Sequence, residues 1–407
     1  MPASNSKVLN LVVDQRFLQS PDGAVWTHSP PAYPFFEQAL EVFDYVRLIA
    51  RTSQVPAQLE SARRVDGPGV ELIPIPSYIG PFQYLRRRAA VSASLEHISR
   101  LDGAFLFRIP SQTAFLLASR LDELRRPYAV ELLTDPHDFF APGVSPHGLA
   151  YLFRPYFCRR SRQLCCNAVA ANFVTGARTR AAHPTPRAIW SGNISDVDLP
   201  PEAFPVIESK PANQPLSIVT VGFLDLLYKG QDLLIRSLAS CRGHNLDFHL
   251  TFVGDGENRH RLLALAASLG IGDRVSITGP LGGPSEVRAH LQRSDLFVLP
   301  SRAEGIPRAL LEAMAAGLPA ICSNVGAMPD LLLPEWVIPA GDQAALTGRI
   351  LQFALRRQHW SAIGARNQET ARAYERSVLR PQRKAFYESV RDGCLSQGLP
   401  GELPHAA

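Results

Sequence analysis

The chain has 407 residues, of which 46% are hydrophobic and 19% charged, so it holds enough apolar material for two globular domains. This composition excludes intrinsic disorder and collagen, and no stretch approaches the roughly 18 apolar residues of a membrane span. The formal net charge is +5, and only four of the 42 basic residues are lysines. The six cysteines form no C-x-x-C pair, which favours free thiols in a reducing compartment.

Location and partners are predicted from the termini and the basic clusters. The first 13 residues contain only a six-residue apolar run, so we expect no signal peptide and a cytoplasmic protein. The clusters Arg86–Arg88 and Arg159–Arg160 lack interleaved aromatic residues, so no nucleic-acid partner is expected. Solvated faces are the favoured interpretation of these clusters. A peripheral contact with the anionic inner face of a membrane, or with an acidic acceptor, is the alternative.

The first half alternates short apolar runs with amphipathic stretches, the pattern of parallel β-α-β units. Strands are predicted at Val8–Val13, Val46–Ala50, Val70–Ile75, Ala104–Ile109, Ala129–Leu133 and Ala168–Val174. Helices are predicted at Phe35–Val42, Gln112–Leu124 and Gly148–Cys165, and a loop near substrate at Asp14–Thr27.

A proline-rich linker separates this half from a second series of the same kind. Five prolines fall between Asp196 and Pro215, where the alternation stops. Strands then follow at Ser217–Val221, His249–Val253, Val275–Thr278, Leu296–Leu299, Ala320–Cys322 and Val337–Ile338. Helices are predicted at Asp232–Ser240, Arg259–Leu269, Ser285–Gln292, Ala309–Ala316, Gln343–Arg356 and Tyr374–Val390. The sequence therefore predicts an α/β protein with two doubly wound domains facing a cleft.

The stretch from Leu296 to Pro319 carries the most chemical information. A buried strand, a short loop and a helix are predicted, with Pro307 at the first helical position and Gly317 ending the helix. Glu304 then lies in the loop, and the amides of Gly305 and Ile306 form a potential anion site at the helix start. Amides suit phosphates and carboxylates suit hydroxyls, a combination that fits a sugar diphosphate.

This segment resembles a known signature. The spacing Glu304-x7-Glu312, followed by Ala313-Met314 and Gly317-x-Pro319, is similar to the E-x7-E motif of the retaining GT-B glycosyltransferases of family four. Three further blocks agree in order: Val219–Gly230 with its Lys229-Gly230, Phe252–Gly256 with Ile277–Gly279, and Asn324–Pro329. The resemblance is strong over residues 216–340 and weaker before residue 200.

The resemblance implies a role for each matching residue. Lys229, with the amides of Gly305 and Ile306, would hold the donor diphosphate, and Glu304 would bind donor-sugar hydroxyls. Glu312 would bind the ribose, Gly222 would lie in the turn at the phosphates, and Thr278, Gly279 and Leu281 would flank the base. Phe223 departs from the family, since many members carry arginine there; Arg302 is our candidate for the missing cation. Pairing of Glu312 with Arg308 is the structural alternative for that carboxylate.

The first half is predicted to bind the acceptor. In the family a histidine or aspartate in this region faces the donor sugar. Asp135 matches best by its distance from the preceding strand, and His137 is the second choice. We expect domains at residues 1–195 and 216–370, joined by the linker 196–215. The resemblance also implies that the helix within 371–407 crosses back onto the first domain.

The predicted activity is that of a bacterial, metal-independent, retaining hexosyltransferase without a cofactor. It would move a sugar from a nucleotide diphosphate to a hydroxyl of a polysaccharide, a lipid-linked intermediate or a small molecule. A sugar-nucleotide epimerase or phosphorylase of the same fold, and a non-catalytic glycan-binding module, are the alternatives.

Overall fold

The chain divides into two units in a computed structural model that describes residues 7–28, 31–56, 62–140, 150–207 and 215–395. The first unit contains Met1–Pro136, Pro155–Ile194 and Arg380–Ala407, and the second contains His137–Arg154 and Ser195–Leu379. The segment 137–154 thus groups with the second unit, whereas the sequence placed it in the N-terminal domain.

The first unit is organised around a mainly parallel sheet. Its strands are β1 (Val8–Gln19), β2 (Val25–Thr27), β3 (Tyr45–Gln54), β4 (Arg63–Arg64), β5 (Val70–Pro76), β6 (Ala104–Ile109), β7 (Ala129–Leu132), β8 (Ala170–Phe173) and β9 (Trp190–Gly192). The helices in this part of the chain are α1 (Tyr33–Phe36), α2 (Gly80–Ser99), α3 (Gln112–Glu123), α4 (Pro136–Phe139), α5 (Arg154–Asn167) and α6 (Ala177–Ala182).

Seven of these strands run parallel in the order β5-β3-β1-β6-β7-β8-β9. The order reverses between β1 and β6, as expected for a doubly wound sheet. Every residue of β6 is buried, because helices cover both faces of a parallel sheet. A short antiparallel extension is formed by β2, which pairs with the end of β1, and by β4, which pairs with β2.

The second unit contains a wholly parallel six-stranded sheet. Its strands are β10 (Leu216–Val221), β11 (Phe248–Val253), β12 (Val275–Ile277), β13 (Leu296–Leu299), β14 (Ala320–Ser323) and β15 (Val337–Ile338). Its helices are α7 (Gln231–Arg242), α8 (Arg259–Ser268), α9 (Pro284–Arg293), α10 (Arg308–Ala315), α11 (Met328–Leu331), α12 (Gln343–Ala354) and α13 (Trp360–Ala371). The strand order β12-β11-β10-β13-β14-β15 is that of a Rossmann-like domain.

The last helix, α14 (Arg376–Leu395), joins the first unit from Arg380 onward. Arg380 donates a hydrogen bond to Glu41 at 2.7 Å, and the Phe386 ring lies 5.1 Å from the Trp190 ring. Near the helix end, the buried Cys394 lies against the carbonyl of Phe105. The C-terminal helix therefore returns to the first unit after the second unit is complete.

Several elements differ from the sequence predictions. The expected loop Asp14–Thr27 is wrong, because β1 continues to Gln19 and turns through Asp22-Gly23 into β2. A register shift between Val12 and Arg16 allows β1 to continue while leaving the parallel ladder to β6. The predicted helix Phe35–Val42 is α1 followed by a 3-10 turn, and the helix predicted from Gly148 begins at Arg154 after another such turn.

Three helices of six or more residues were not predicted from the sequence. Only Val91, Leu95, Ile98 and Ser99 are buried in α2, all in its second half, so the helical period is weak. Helices α6 and α13 were also missed. Within the predicted linker, Leu199 forms a β-bridge with Glu375, and residues 208–214 lie outside the described residues.

Candidate functional site

The candidate site lies where the strand order of the second sheet reverses. Strands β10 and β13 are neighbours at that point, and each ends in a loop at the same edge of the sheet. Ligands of open α/β sheets bind at such a switch point, beyond the carboxyl ends of the strands. Lys229 belongs to the loop after β10, and Glu304 to the loop after β13. Their side chains meet, with 2.8 Å between Nζ and Oε1.

This Lys229–Glu304 pair is shielded from solvent. The two side chains are only 14% and 10% exposed. Burial by itself would lower the pKa of Lys229, but the carboxylate of Glu304 and the Tyr228 side chain outweigh it, so the pKa is raised. The Tyr228 ring centroid lies 5.2 Å from Nζ, within range of a cation–π contact. Lys229 is therefore a cation at neutral pH.

Serine side chains support the Glu304 carboxylate. Ser301 is fully buried, and its hydroxyl donates to Oε1 of Glu304 at 2.9 Å. Ser323, at the end of β14, donates in turn to the carbonyl of Ser301. The carboxylate is thus fixed to two neighbouring strand ends of the sheet. Ser301 lies three residues before Glu304, and its contact with the carboxylate depends on the geometry of the loop between them.

Two glycines allow the backbone and side chains of the site to approach closely. A Cβ atom at Gly222 would lie 2.7 Å from Cδ of Lys229, so glycine leaves room for the lysine stem. At Gly326 the backbone has a φ of +56°, and a Cβ would lie 2.3 Å from the carbonyl oxygen of Glu304. The amide of Ala327 also donates to the carbonyl of Gly305 at 3.0 Å. The block Asn324–Pro329 therefore packs against the backbone of the loop that carries Glu304.

Phe223 and Arg302 differ in what they can offer a ligand. Phe223, where the family resemblance led us to expect arginine, is 67% exposed, and Gln231 donates to its carbonyl at 3.2 Å. Arg302 forms two hydrogen bonds with the carboxylate of Asp232, at 3.1 and 3.0 Å, and also donates to the carbonyl of Leu227. Arg302 therefore already has an anionic partner, which weakens its candidacy as the missing phosphate cation.

The second glutamate of the motif lies on α10. The pairing of Glu312 with Arg308, which the sequence analysis gave as the alternative to ribose binding, is present: Nε of Arg308 donates to Oε1 of Glu312 at 2.9 Å. Glu312 is 17% exposed, so its carboxylate is mostly shielded but keeps some access to solvent. Pro307 is the N-cap residue of α10 rather than its first residue, so Gly305 and Ile306 immediately precede the cap.

The loop after β12 contacts the loop after β11. Thr278 follows β12, and its hydroxyl accepts from the amide of Gly254 at 3.2 Å and donates to the carbonyl of Gly279 at 2.9 Å. Gly254 and Gly279 also form a β-bridge. These contacts join the loops after β11 and β12. Leu281 follows in the same loop and is half-buried.

The two candidates from the first half of the sequence, Asp135 and His137, are assigned to different units. Asp135 follows β7 within the first unit and is half-buried, whereas His137, in α4, is exposed and groups with the second unit. The His137 ring contacts Asp138, with 3.2 Å between Nδ1 and Oδ1, and Arg154 lies at its Nε2. A role for Asp135 or His137 toward a donor sugar stays a prediction.

Within the described residues, no group of three or more His, Cys, Asp or Glu side chains could hold a metal ion. Asp198 of the Asp196-Val197-Asp198 sequence pairs with Arg376 at 3.0 Å. Among the described helices, none is long and apolar enough to cross a membrane.

Parts of the chain are similar to known glycosyltransferases. Residues 215–355 match the family described as Glycosyl transferases group 1. Protein CapJ of Staphylococcus aureus is 23% identical over 90% of this chain and 93% of its own length. The amylovoran biosynthesis glycosyltransferase AmsK of Erwinia amylovora is 30% identical over 40% of this chain and 42% of its own length.

Solved structures establish the fold. Sucrose-phosphate synthase of Thermosynechococcus elongatus matches with a TM-score of 0.71 at 16% identity, over 94% of this chain and 99% of that one. The Anabaena protein HepE, in complex with UDP and glucose, matches with a TM-score of 0.63 at 18% identity, over 94% and 98% of the two chains. The predicted GT-B fold is confirmed, and the second unit is the part similar to group 1 glycosyltransferases.

Proposed function

We propose that the protein is a retaining glycosyltransferase that uses a nucleotide-diphosphate sugar without a metal ion. The observation that carries this proposal is the shielded Lys229–Glu304 pair at the switch point of the second sheet. A buried ion pair contributes little net stability, because the cost of removing both charges from water offsets their attraction. A lysine and a carboxylate kept together at a ligand-binding edge are better explained by a ligand that uses both.

Donor binding would change the partner of Lys229. The diphosphate would take the ammonium group now paired with Glu304, and the amides of Gly305 and Ile306 would add donors near the start of α10. Glu304, still held by Ser301, would then accept hydrogen bonds from donor-sugar hydroxyls. Glu312 would bind the ribose, with Arg308 as its partner in the free protein. HepE, crystallised with UDP and glucose, gives a precedent for such ligands on this fold.

The reaction we propose is a front-face displacement. The acceptor oxygen forms a bond to the anomeric carbon on the face from which the diphosphate leaves, so the configuration is retained. The glycosidic oxygen departs with the diphosphate and takes the acceptor proton. Lys229 and the loop amides stabilise the charge that develops on that leaving group, which is where preorganised donors lower the barrier most.

The acceptor is proposed to be a growing polysaccharide or its lipid-linked precursor. The relative AmsK is named for amylovoran biosynthesis, and the solved relative WaaG is described as a glycosyltransferase of lipopolysaccharide biosynthesis. A bacterial, cytoplasmic location agrees with such a task.

A ligand screen tests the proposal. Thermal unfolding would be followed with UDP, GDP, ADP and dTDP at 1–5 mM, with EDTA present and with the matching nucleoside monophosphates as controls. A ligand at about 100 times its Kd stabilises the folded state by about 2.7 kcal/mol, so a true donor nucleotide should raise the Tm by several degrees. Turnover of the matching nucleotide sugars, with NMR of the product's anomeric proton, tests retention. If no nucleoside diphosphate raises the Tm and none of these sugars is turned over, the proposal is wrong.

A further inference from the structure

The start of helix α2 exposes an unusual set of apolar side chains. Phe82 is 82% exposed, Leu85 is 61% exposed, and Ile79, just before the helix, is 56% exposed. Single exposed apolar residues are common on soluble proteins, but three within seven residues form a contiguous feature. Phe82 and Leu85 are three positions apart and therefore share one face of the helix.

Packing within the first unit does not explain the apolar side chains at the start of α2. All buried residues of the helix lie from Val91 onward, where α2 covers the sheet of the first unit. Among residues 80–90, all of which the structure describes, only Tyr84 is even partly buried. The first three turns of the helix therefore extend beyond the core that its second half helps to form.

Charge accompanies these apolar residues. Arg86, Arg87 and Arg88 follow directly, and the sequence has no aspartate or glutamate between Glu71 and Glu96. Arg87 donates to the carbonyl of Ser77 at 2.5 Å, which fixes it against the preceding loop. Arg86 and Arg88 are both exposed. Arg86 is four residues after Phe82, so one cation lies beside the apolar side chains.

We propose that this α2 face, formed by Ile79, Phe82, Leu85, Arg86 and Arg88, docks on an anionic lipid surface. Exposed apolar side chains next to cations on one helix are the features that bind a helix in the plane of a membrane interface. The phosphate-rich surface attracts the arginines, and the apolar side chains enter the boundary between headgroups and acyl chains. A nucleic acid would use the arginines but would leave Phe82 and Leu85 in water. This inference does not depend on the proposed glycosyltransferase activity.

Vesicle flotation tests the docking surface on the full chain. The probes are vesicles of pure phosphatidylcholine and of phosphatidylcholine with an equal amount of phosphatidylglycerol, at 0.1 M salt. Wild type should float with the anionic vesicles and stay behind with the neutral ones. Phe82→Ser/Leu85→Ser should reduce the partition coefficient at least about tenfold. Arg86→Ser/Arg88→Ser should reduce it roughly 30-fold, from about a fivefold effect per arginine.

Leu355 provides the matched control, since it is an 83% exposed leucine of the second unit followed by two arginines. Leu355→Ser should bind like wild type. All the substituted side chains are exposed, and unchanged thermal melts would confirm folding. The proposal fails if wild type does not float, if Leu355→Ser is as defective as the α2 variants, or if Phe82→Ser/Leu85→Ser binds like wild type. The last result would indicate a purely electrostatic contact, such as one with nucleic acid.

Discussion

The two sheets have the same kind of switch point but use it differently. In the first unit, Asp14 lies within β1, just beyond its last pairing with β6, and near Ser111, which follows the end of β6. Asp14 accepts from Ser111 at 3.0 Å and from Arg51 at 3.0 Å. In the second unit, the ends of β10 and β13 bring Lys229 to Glu304. Each sheet therefore places an ion pair at its strand-order reversal.

The difference lies in what holds each pair. Arg51 is on β3, and Ser111 caps α3 by accepting from Ala114, so the first pair joins regular elements and acts as a brace. Burial raises the pKa of Asp14 although Arg51 opposes this effect. Lys229 and Glu304 instead lie in loops shaped by glycines, and the pair keeps the lysine charged. The same topology thus places one ion pair between two strands and the other between two loops, where we propose that a ligand uses both charges.

Removal of the Lys229 side chain should lower activity more than any other substitution considered for the two switch points. Lys229→Ala should lower kcat/KM roughly 100- to 1000-fold, the scale for losing one preorganised charge partner of a leaving group. It should also lower the free energy of unfolding, by up to about 3–5 kcal/mol, because Glu304 is left as an unpaired, shielded carboxylate. Steady-state kinetics and thermal melts measure the two effects.

Two control variants separate activity from stability. Lys229→Ala/Glu304→Gln should recover much of the lost stability and none of the activity. Asp14→Asn, at the other switch point, should leave nucleoside diphosphate affinity within about twofold of wild type. Should Lys229→Ala keep activity within threefold, Lys229 is not the diphosphate ligand. Should Asp14→Asn lose the nucleotide as well, the two switch points do not have separate tasks.

Gly326→Ala should have an intermediate effect on the loop that presents Glu304. A Cβ there meets the backbone carbonyls of Glu304 and Gly305, and a left-handed φ costs a non-glycine residue roughly 1–2 kcal/mol. A displaced carboxylate of this kind should lower kcat/KM on the order of 10- to 100-fold. Gly348→Ala is the control, since that helical glycine has open space around it and alanine should stabilise it by up to about 1 kcal/mol. Equal activity of both variants would exclude a supporting role for Gly326.

Phe223→Arg should have the smallest effect. Phe223 is largely exposed, so the substitution should leave the Tm unchanged. An arginine in the turn after β10 should tighten nucleoside diphosphate binding at least about threefold through a charge-assisted hydrogen bond. Calorimetry would compare Phe223→Arg with Phe223→Leu, which removes the ring without adding charge. Weaker binding by both variants would indicate that the aromatic ring itself contacts the ligand.

Sequence reasoning succeeded where local pattern and fold agree. In the second unit, strands β13 and β15 were predicted with their observed ends, because buried parallel strands appear as continuous apolar runs. The meeting of Lys229 with Glu304 could be anticipated only through the family resemblance, since 75 residues separate them.

The remaining features depend on tertiary contacts. Helix α2 was missed because only its second half is packed, so its apolar residues follow no single period. The continuation of β1 beyond Val13 depends on pairing with β3 and β2, and Asp14 was therefore taken for a loop residue. The bond from Ser301 to Glu304 requires a loop geometry that no spacing rule specifies.

Titration calorimetry with nucleoside diphosphate distinguishes whether Glu304 and Glu312 have separate tasks. Glu304→Gln should keep or gain affinity for the free nucleotide, because Lys229 loses its competing carboxylate, while turnover of the nucleotide sugar falls. Glu312→Gln should weaken the nucleotide by roughly 1.5–3 kcal/mol, the value of a charge-assisted hydrogen bond to ribose. Glu369→Gln, at an exposed glutamate of α13, should match wild type. Loss of nucleotide binding in Glu304→Gln with normal binding in Glu312→Gln would contradict the account.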